Sequence, residues 1–249
     1  MLVKIFYFCV KAVNKIAGLP FSFSNDGEDF VLLKYLSKIK DGKYLDIGSH
    51  KPVRGSNTFL FYLLGWKGVC IDPLPNLQNK YKLIRRRDKF INAAVFGSNS
   101  SNHTDLNFYY YKNHTDNSTF DPERVKQLSD TFGREPSAVI PVPKTNVSEI
   151  ISSNQEFFKK NAEIHLLSLD IEGFEIDILK DFFSQNIFPW AVCVEEIGQT
   201  AESLIEGDIH KLMKNNGYIL GSRTFLSSIY IFKHQLKNLP SDYIKELDI

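Results

Sequence analysis

Leu166-Leu167-Ser168-Leu169-Asp170-Ile171-Glu172-Gly173-Phe174-Glu175 is the stretch on which the fold turns. An apolar run suited to a buried strand meets two carboxylates and a glycine. Beyond them, Phe174 to Phe183 repeats apolar residues at helical spacing. Open α/β sheets place their ligands at the carboxyl ends of such strands. Far upstream, Tyr44-Leu45-Asp46-Ile47-Gly48-Ser49-His50 makes a second strand-to-acid-to-glycine step. Two such steps point to an enzyme that holds a nucleotide-like cofactor at the first and does chemistry near the second.

Working outward, strands are expected at 43–47, 68–71, 90–96, 164–169 and 191–195, with a closing pair at 218–222 and 228–232. Helices are expected at 26–40, after the Ser24-Asn25-Asp26 capping cluster, and at 58–64, 76–86, 147–159, 174–183 and 201–215. This alternation predicts an α/β fold with a mostly parallel sheet and helices on both faces. The last two strands are joined too tightly for a crossover helix, so the final one should be antiparallel. Residues 97–143 break the pattern and read as an insertion of hairpin and loops, with one strand near Leu106 to Tyr111. The expected organisation is an amino-terminal extension over 1–22 and one domain over 23–249.

With 249 residues, 30 Lys and Arg against 29 Asp and Glu, the chain suits one large domain and gives no reason to expect nucleic acid. Cys9, Cys70 and Cys193 are far apart in apolar runs and read as buried free thiols of a reducing compartment. Asn102-His103-Thr104 and Asn113-His114-Thr115 match glycosylation triplets, but no convincing signal peptide precedes them. Lys4, Lys11 and Lys15 interrupt the apolar start and share one helical face. No apolar run there reaches the ~18–20 residues that span a bilayer. Residues 1–20 therefore form either a helix packed on the domain or a surface helix that touches anionic lipid. The expected location is the cytoplasm, at the inner face of the membrane in the second case.

Asp46-Ile47-Gly48 is a weak signal by itself, since a full G-x-G-x-x-G is missing and a tight turn would explain it. Asp72 strengthens it. This acid ends the next strand and can hold both ribose hydroxyls of a dinucleotide or of S-adenosylmethionine, or else cap the turn before Pro73.

At these residues the chain resembles the FkbM family of S-adenosylmethionine-dependent methyltransferases. The resemblance is carried by Gly27-Glu28-Asp29, Leu45 to His50, Ser56-Asn57-Thr58-Phe59 through Tyr62, Gly65-Trp66-Lys67-Gly68 and Ile71-Asp72-Pro73. It continues through Asn92-Ala93-Ala94-Val95, Ser118-Thr119-Phe120 and Leu169 to Glu175, and it ends near Val194-Glu195. It implies a class I, Rossmann-like methyltransferase fold and methyl transfer to an oxygen, often on a sugar. By position, Asp46, Gly48 and Ser49 would line the methionine and ribose side of the cofactor. Asp72 would hold the ribose, and Asn92 with Ala93 would lie by the adenine. Asn57 and Thr58 open a helix whose free amides either meet the cofactor carboxylate or are simply capped.

Transfer to a hydroxyl needs a base, and Asp170 is the first candidate, with Glu172 second. Asp170 with Glu195 could instead cradle a divalent cation such as magnesium. His50 is either a third base candidate or an ordinary hydrogen-bonding loop residue. Arg85-Arg86-Arg87 reads as a solvated basic face or as a phosphate clamp for a nucleotide sugar. Tyr109, Tyr110, Tyr111 and Phe120 either stack on a sugar ring or reflect hairpin alternation. His103 and His114 have no metal-ligand spacing. The expected activity is O-methylation of a carbohydrate or glycoconjugate precursor in bacterial surface polysaccharide synthesis. Two other readings stand beside it. One is a nicotinamide-dependent oxidoreductase, weakened because the only Tyr-x-x-x-Lys, Tyr7 to Lys11, lies in the extension. The other is a non-catalytic binding module.

Overall fold

The computed structural model describes residues 22–97, 107–158, 163–171, 173–238 and 240. The helix expected in residues 1–20, together with Cys9, His103 and Glu172, lies outside them.

Seven strands form the main sheet: β1 (Lys43–Ile47), β2 (Lys67–Ile71), β3 (Lys89–Ile91), β8 (Leu166–Leu169), β9 (Ala191–Glu195), β10 (Tyr218–Arg223) and β11 (Ser227–Phe232). Their order is β10-β11-β9-β8-β1-β2-β3. All pairs are parallel except those made by β11, which runs antiparallel to both β9 and β10. The chain leaves β1 toward β2 and β3, then crosses back to lay β8 on the other side of β1. The order thus reverses between β1 and β8, and a crevice opens at the carboxyl ends of strands flanking such a reversal.

The central strands are buried on both faces, which is why their sequences are continuously apolar rather than alternating. On one face, Tyr44, Cys70, Leu166, Ala191 and Cys193 pack under α1 (Glu28–Leu36), α2 (Phe59–Leu63) and α3 (Leu77–Ile84). On the other, Leu45, Ile47, Leu167, Leu169 and Val192 meet α5 (Val147–Ser152), α7 (Glu175–Ser184) and α9 (Asp208–Asn215).

Three expected elements are corrected. The strand expected over 90–96 stops at Ile91, because the Asn92 amide donates to the carbonyls of Asp72 and Leu74 (2.8 and 2.9 Å). The chain then leaves the sheet, and β4 (Ala94–Val95) pairs with β7 (Lys144–Thr145) instead. The helix expected over 147–159 divides into α5 and α6 (Gln155–Phe158), where the Asn154 side chain bonds back to the Ile150 carbonyl at 2.6 Å. The helix expected over 201–215 divides into α8 (Ala201–Glu206) and α9 at Gly207, whose backbone is extended.

The insertion is more ordered than a hairpin with loops. Strands β5 (Asn107–Tyr110) and β6 (Ala138–Pro141) pair antiparallel around α4 (Pro122–Phe132). The Asp121 side chain, Pro122 and a left-handed Gly133 define the ends of α4.

Candidate active site

The strand register assembles the site. Ile47 lies opposite both Ile71 and Leu169, and Leu169 opposite Val194. Asp72 and Asp170 follow β2 and β8, and Glu195 ends β9, so the three acids emerge at one level of one sheet edge. Beside them the chain turns at Gly48, whose φ is +78°; a Cβ there would overlap the Asp170 carbonyl oxygen. Only glycine lets the β1 and β8 ends approach this closely.

A cavity of about 630 Å³ opens over this edge. Its floor includes Gly48, His50, Asp72, Ala93, Asp170 and Glu195. Phe120 of the insertion stands over it, 4.7 Å from the Phe108 ring and 5.7 Å from Phe96, and Phe96 lies 5.1 Å from Phe174. All four rings line the cavity.

Asp72 accepts the His50 amide on one carboxylate oxygen (2.7 Å) and the Leu74 amide on the other (2.8 Å). The first bond holds His50 in a left-handed backbone conformation, φ +43°, uncommon for a residue with a side chain. Burial pushes the Asp72 carboxyl up to about 7, although both amide bonds favour its ionised form. Asp170 is raised well above the usual carboxylate range. Burial is the first cause and Glu195 the second, through both its charge and a side-chain hydrogen bond. A neighbouring carboxyl so placed makes Asp170 hold its proton more tightly. Glu175 accepts the amides of Ile171 (3.2 Å) and Gly173 (2.9 Å) and so fixes the loop below Asp170.

The His50 ring reaches Thr115 (Nε2 to Oγ1, 2.9 Å) and Asp116 (Nδ1 to Oδ1, 3.4 Å) in the short 3₁₀ turn Thr115–Asn117 of the insertion. Burial lowers its pKa, Lys51 adds to this, and Asp116 opposes both.

Asp46, Ser49, Asn57, Thr58 and Asn92 do not line the cavity. The Asp46 carboxylate faces the α2 side of the sheet, where it accepts the hydroxyls of Thr58 and Ser168. Ser49 is buried below its turn, and its amide donates to Ile71 (3.1 Å). Asn57 donates to Ser168 (3.2 Å), and Asn92 ties the loop after β2. The structure therefore brings Gly48, His50, Asp72, Ala93, Asp170 and Glu195 together and places the other five around them.

The basic run is corrected most. Arg85 is fully buried rather than solvated. It pairs with Asp88 (2.6 Å), donates to Ser56 (3.2 Å) and Thr58 (2.9 Å), and lies over the Tyr44, Tyr62 and Tyr81 rings. Arg87 covers Tyr62 and donates to its carbonyl. Of the aromatics singled out in the insertion, Phe120 lines the cavity while Tyr109, Tyr110 and Tyr111 do not. Sequence reasoning passed over Phe96, Phe108, Arg54 and Arg124, which also line it. No local signal marks them: the folding of the insertion brings Phe108 and Arg124 there, while Arg54 and Phe96 reach the cavity from the loop after β1 and the end of β4. Among the described residues, no group of three or more His, Cys, Asp or Glu side chains could hold a metal.

A parallel sheet reversed at β1/β8, with an acid-lined cavity at the reversal, defines a Rossmann-like fold with its candidate site at the switch point. The model of the Methyltransferase FkbM domain matches residues 46–220, so the chain belongs to the FkbM methyltransferase family and is a methyltransferase. That membership displaces the oxidoreductase and binding-module readings. No curated protein and no solved structure gave a match. No helix among the described residues is long and apolar enough to cross a membrane.

Proposed function

We propose that this methyltransferase moves a methyl group from S-adenosylmethionine to a hydroxyl of a sugar or glycoconjugate precursor, in surface polysaccharide synthesis. The observation that carries this reading is the Asp170–Glu195 pair at the cavity floor, beside the turn at Gly48 and level with Asp72.

The floor fits the cofactor. Each Asp72 oxygen already accepts one amide and keeps a second lone pair for a ribose hydroxyl. Gly48 and Ala93 keep the wall low where a nucleoside would lie. When bound, the cofactor supplies an electrophilic methyl group whose C–S bond breaks as the new C–O bond forms. Asp170 accepts the proton released by the acceptor hydroxyl, with Glu195 sharing the charge of the singly ionised pair. His50 positions Thr115 and Asp116 across the cavity, and the phenylalanine wall gives a sugar ring an apolar face to rest on.

Methylation of monosaccharides and nucleotide sugars, followed by mass spectrometry of the products, tests the proposal. A methyl ether on the sugar supports it; methylation of an amine or a carboxylate contradicts it. A divalent cation between Asp170 and Glu195 is the other use of the pair. An unchanged rate in excess chelator favours the shared proton, and loss of the rate favours the cation.

A further inference from the structure

The cavity lining includes cationic side chains that the chemistry above does not use. Lys51, Arg54 and Arg124 line it together with the acids of the floor. Lys51 lies 3.7 Å from Asp116, which also faces His50. Asp121 accepts the Glu123 amide at 2.8 Å and so caps α4. Asp72, Asp170 and Glu195 belong to the strand ends. Arg54 and Arg124 remain: both are exposed, and neither forms an ion pair with a carboxylate among the described residues. Among the described residues the Arg124 guanidinium makes one hydrogen bond, to Gln127 at 2.7 Å, which leaves most of its five donors for a ligand.

The two arginines differ in placement. Arg54 stands in the loop after β1, beside the turn assigned to the cofactor. Arg124 stands in the first turn of α4, on the insertion that also supplies Phe108 and Phe120. An arginine next to an aromatic wall suits a ring that bears an anionic group, because guanidinium donors match carboxylate and phosphate oxygens in pairs.

We propose that Arg124 anchors an anionic group, a phosphate or a carboxylate, of the sugar that accepts the methyl group. This deepens the function proposed above and rests on it. A neutral sugar would leave Arg124 unused and would gain only the stacking.

The test is calorimetric titration of the full chain, preloaded with S-adenosylhomocysteine, with glucose 1-phosphate, glucuronate and glucose. The expected result is that at least one anionic sugar binds about tenfold or more tightly than glucose. Arg124→Ala should abolish that preference and leave S-adenosylhomocysteine affinity within about twofold, since this arginine is exposed and stands on the insertion rather than on the turn assigned to the cofactor. Preference for glucose 1-phosphate identifies a phosphate, and preference for glucuronate a carboxylate. Equal binding of glucose, no binding of either anionic sugar, or a preference that survives Arg124→Ala overturns the inference. Failure of S-adenosylhomocysteine to bind the unaltered protein would instead strike the cofactor reading on which it rests.

Discussion

Asp170 and Asp72 sit at the same edge and are raised by the same cause, burial, yet their neighbours give them different work. Asp170 has a second carboxyl beside it and the open cavity before it, so Asp170→Asn should lower kcat by about 100-fold or more while leaving cofactor affinity near the original. A loss of less than about tenfold would remove it as the base. Asp72 holds two backbone amides, and its raised carboxyl links folding to pH. The folded chain keeps a proton that the unfolded chain loses above its ordinary pKa of 3.8. Its contribution to stability is full below that value, is lost as pH rises toward about 7, and stays lost above it. The difference at the upper end is roughly 4 kcal/mol. Thermal unfolding of Asp72→Ala should therefore show a smaller cost at pH 8 than at pH 5, and a cost equal at both would contradict the raised carboxyl. Gly48 is constrained in another way. Gly48→Ala would place a Cβ on the Asp170 carbonyl in a backbone region that disfavours any side chain, so it should lower both Tm and activity.

At the scale of elements, the helices beside the site are held by a buried network that reads poorly from sequence. Arg85 links the end of α3 to Asp88 and to Ser56 and Thr58 at the start of α2; Thr58 in turn bonds Asp46 of β1. Arg85→Met would leave Asp88 buried without its cation, an arrangement that costs about 3–5 kcal/mol. Urea unfolding should show that loss, and Asp88→Leu added to it should recover part. No recovery would mean that the tyrosine packing around Arg85, rather than the charge pair, holds the helices. Three consecutive arginines suggested a solvated face because charge runs usually are one, but only tertiary packing tells the first from the second. Asn154 and Gly207 likewise stop helices whose apolar spacing runs on past them. The local bond of one and the extended backbone of the other outweigh the periodicity.

Across the whole molecule, the order of strands and helices was legible because each element carries its own period, and the tight last connection dictated an antiparallel β11. Asp72, Asp170 and Glu195 were legible for a related reason: register in a parallel sheet turns strand-end acids into neighbours. The roof of the cavity was not, since Phe96, Phe108 and the Phe120–Arg124 stretch come from three separated segments that meet only when the insertion docks on His50. The roles assigned to the cavity residues depend on one ligand. Calorimetric titration with S-adenosylhomocysteine, with NADH as the comparison, should give micromolar binding of the first alone, weakened at least about tenfold by Asp72→Ala. Binding of NADH instead, or of neither, would contradict the cofactor assignment and the methyl-transfer chemistry built on it.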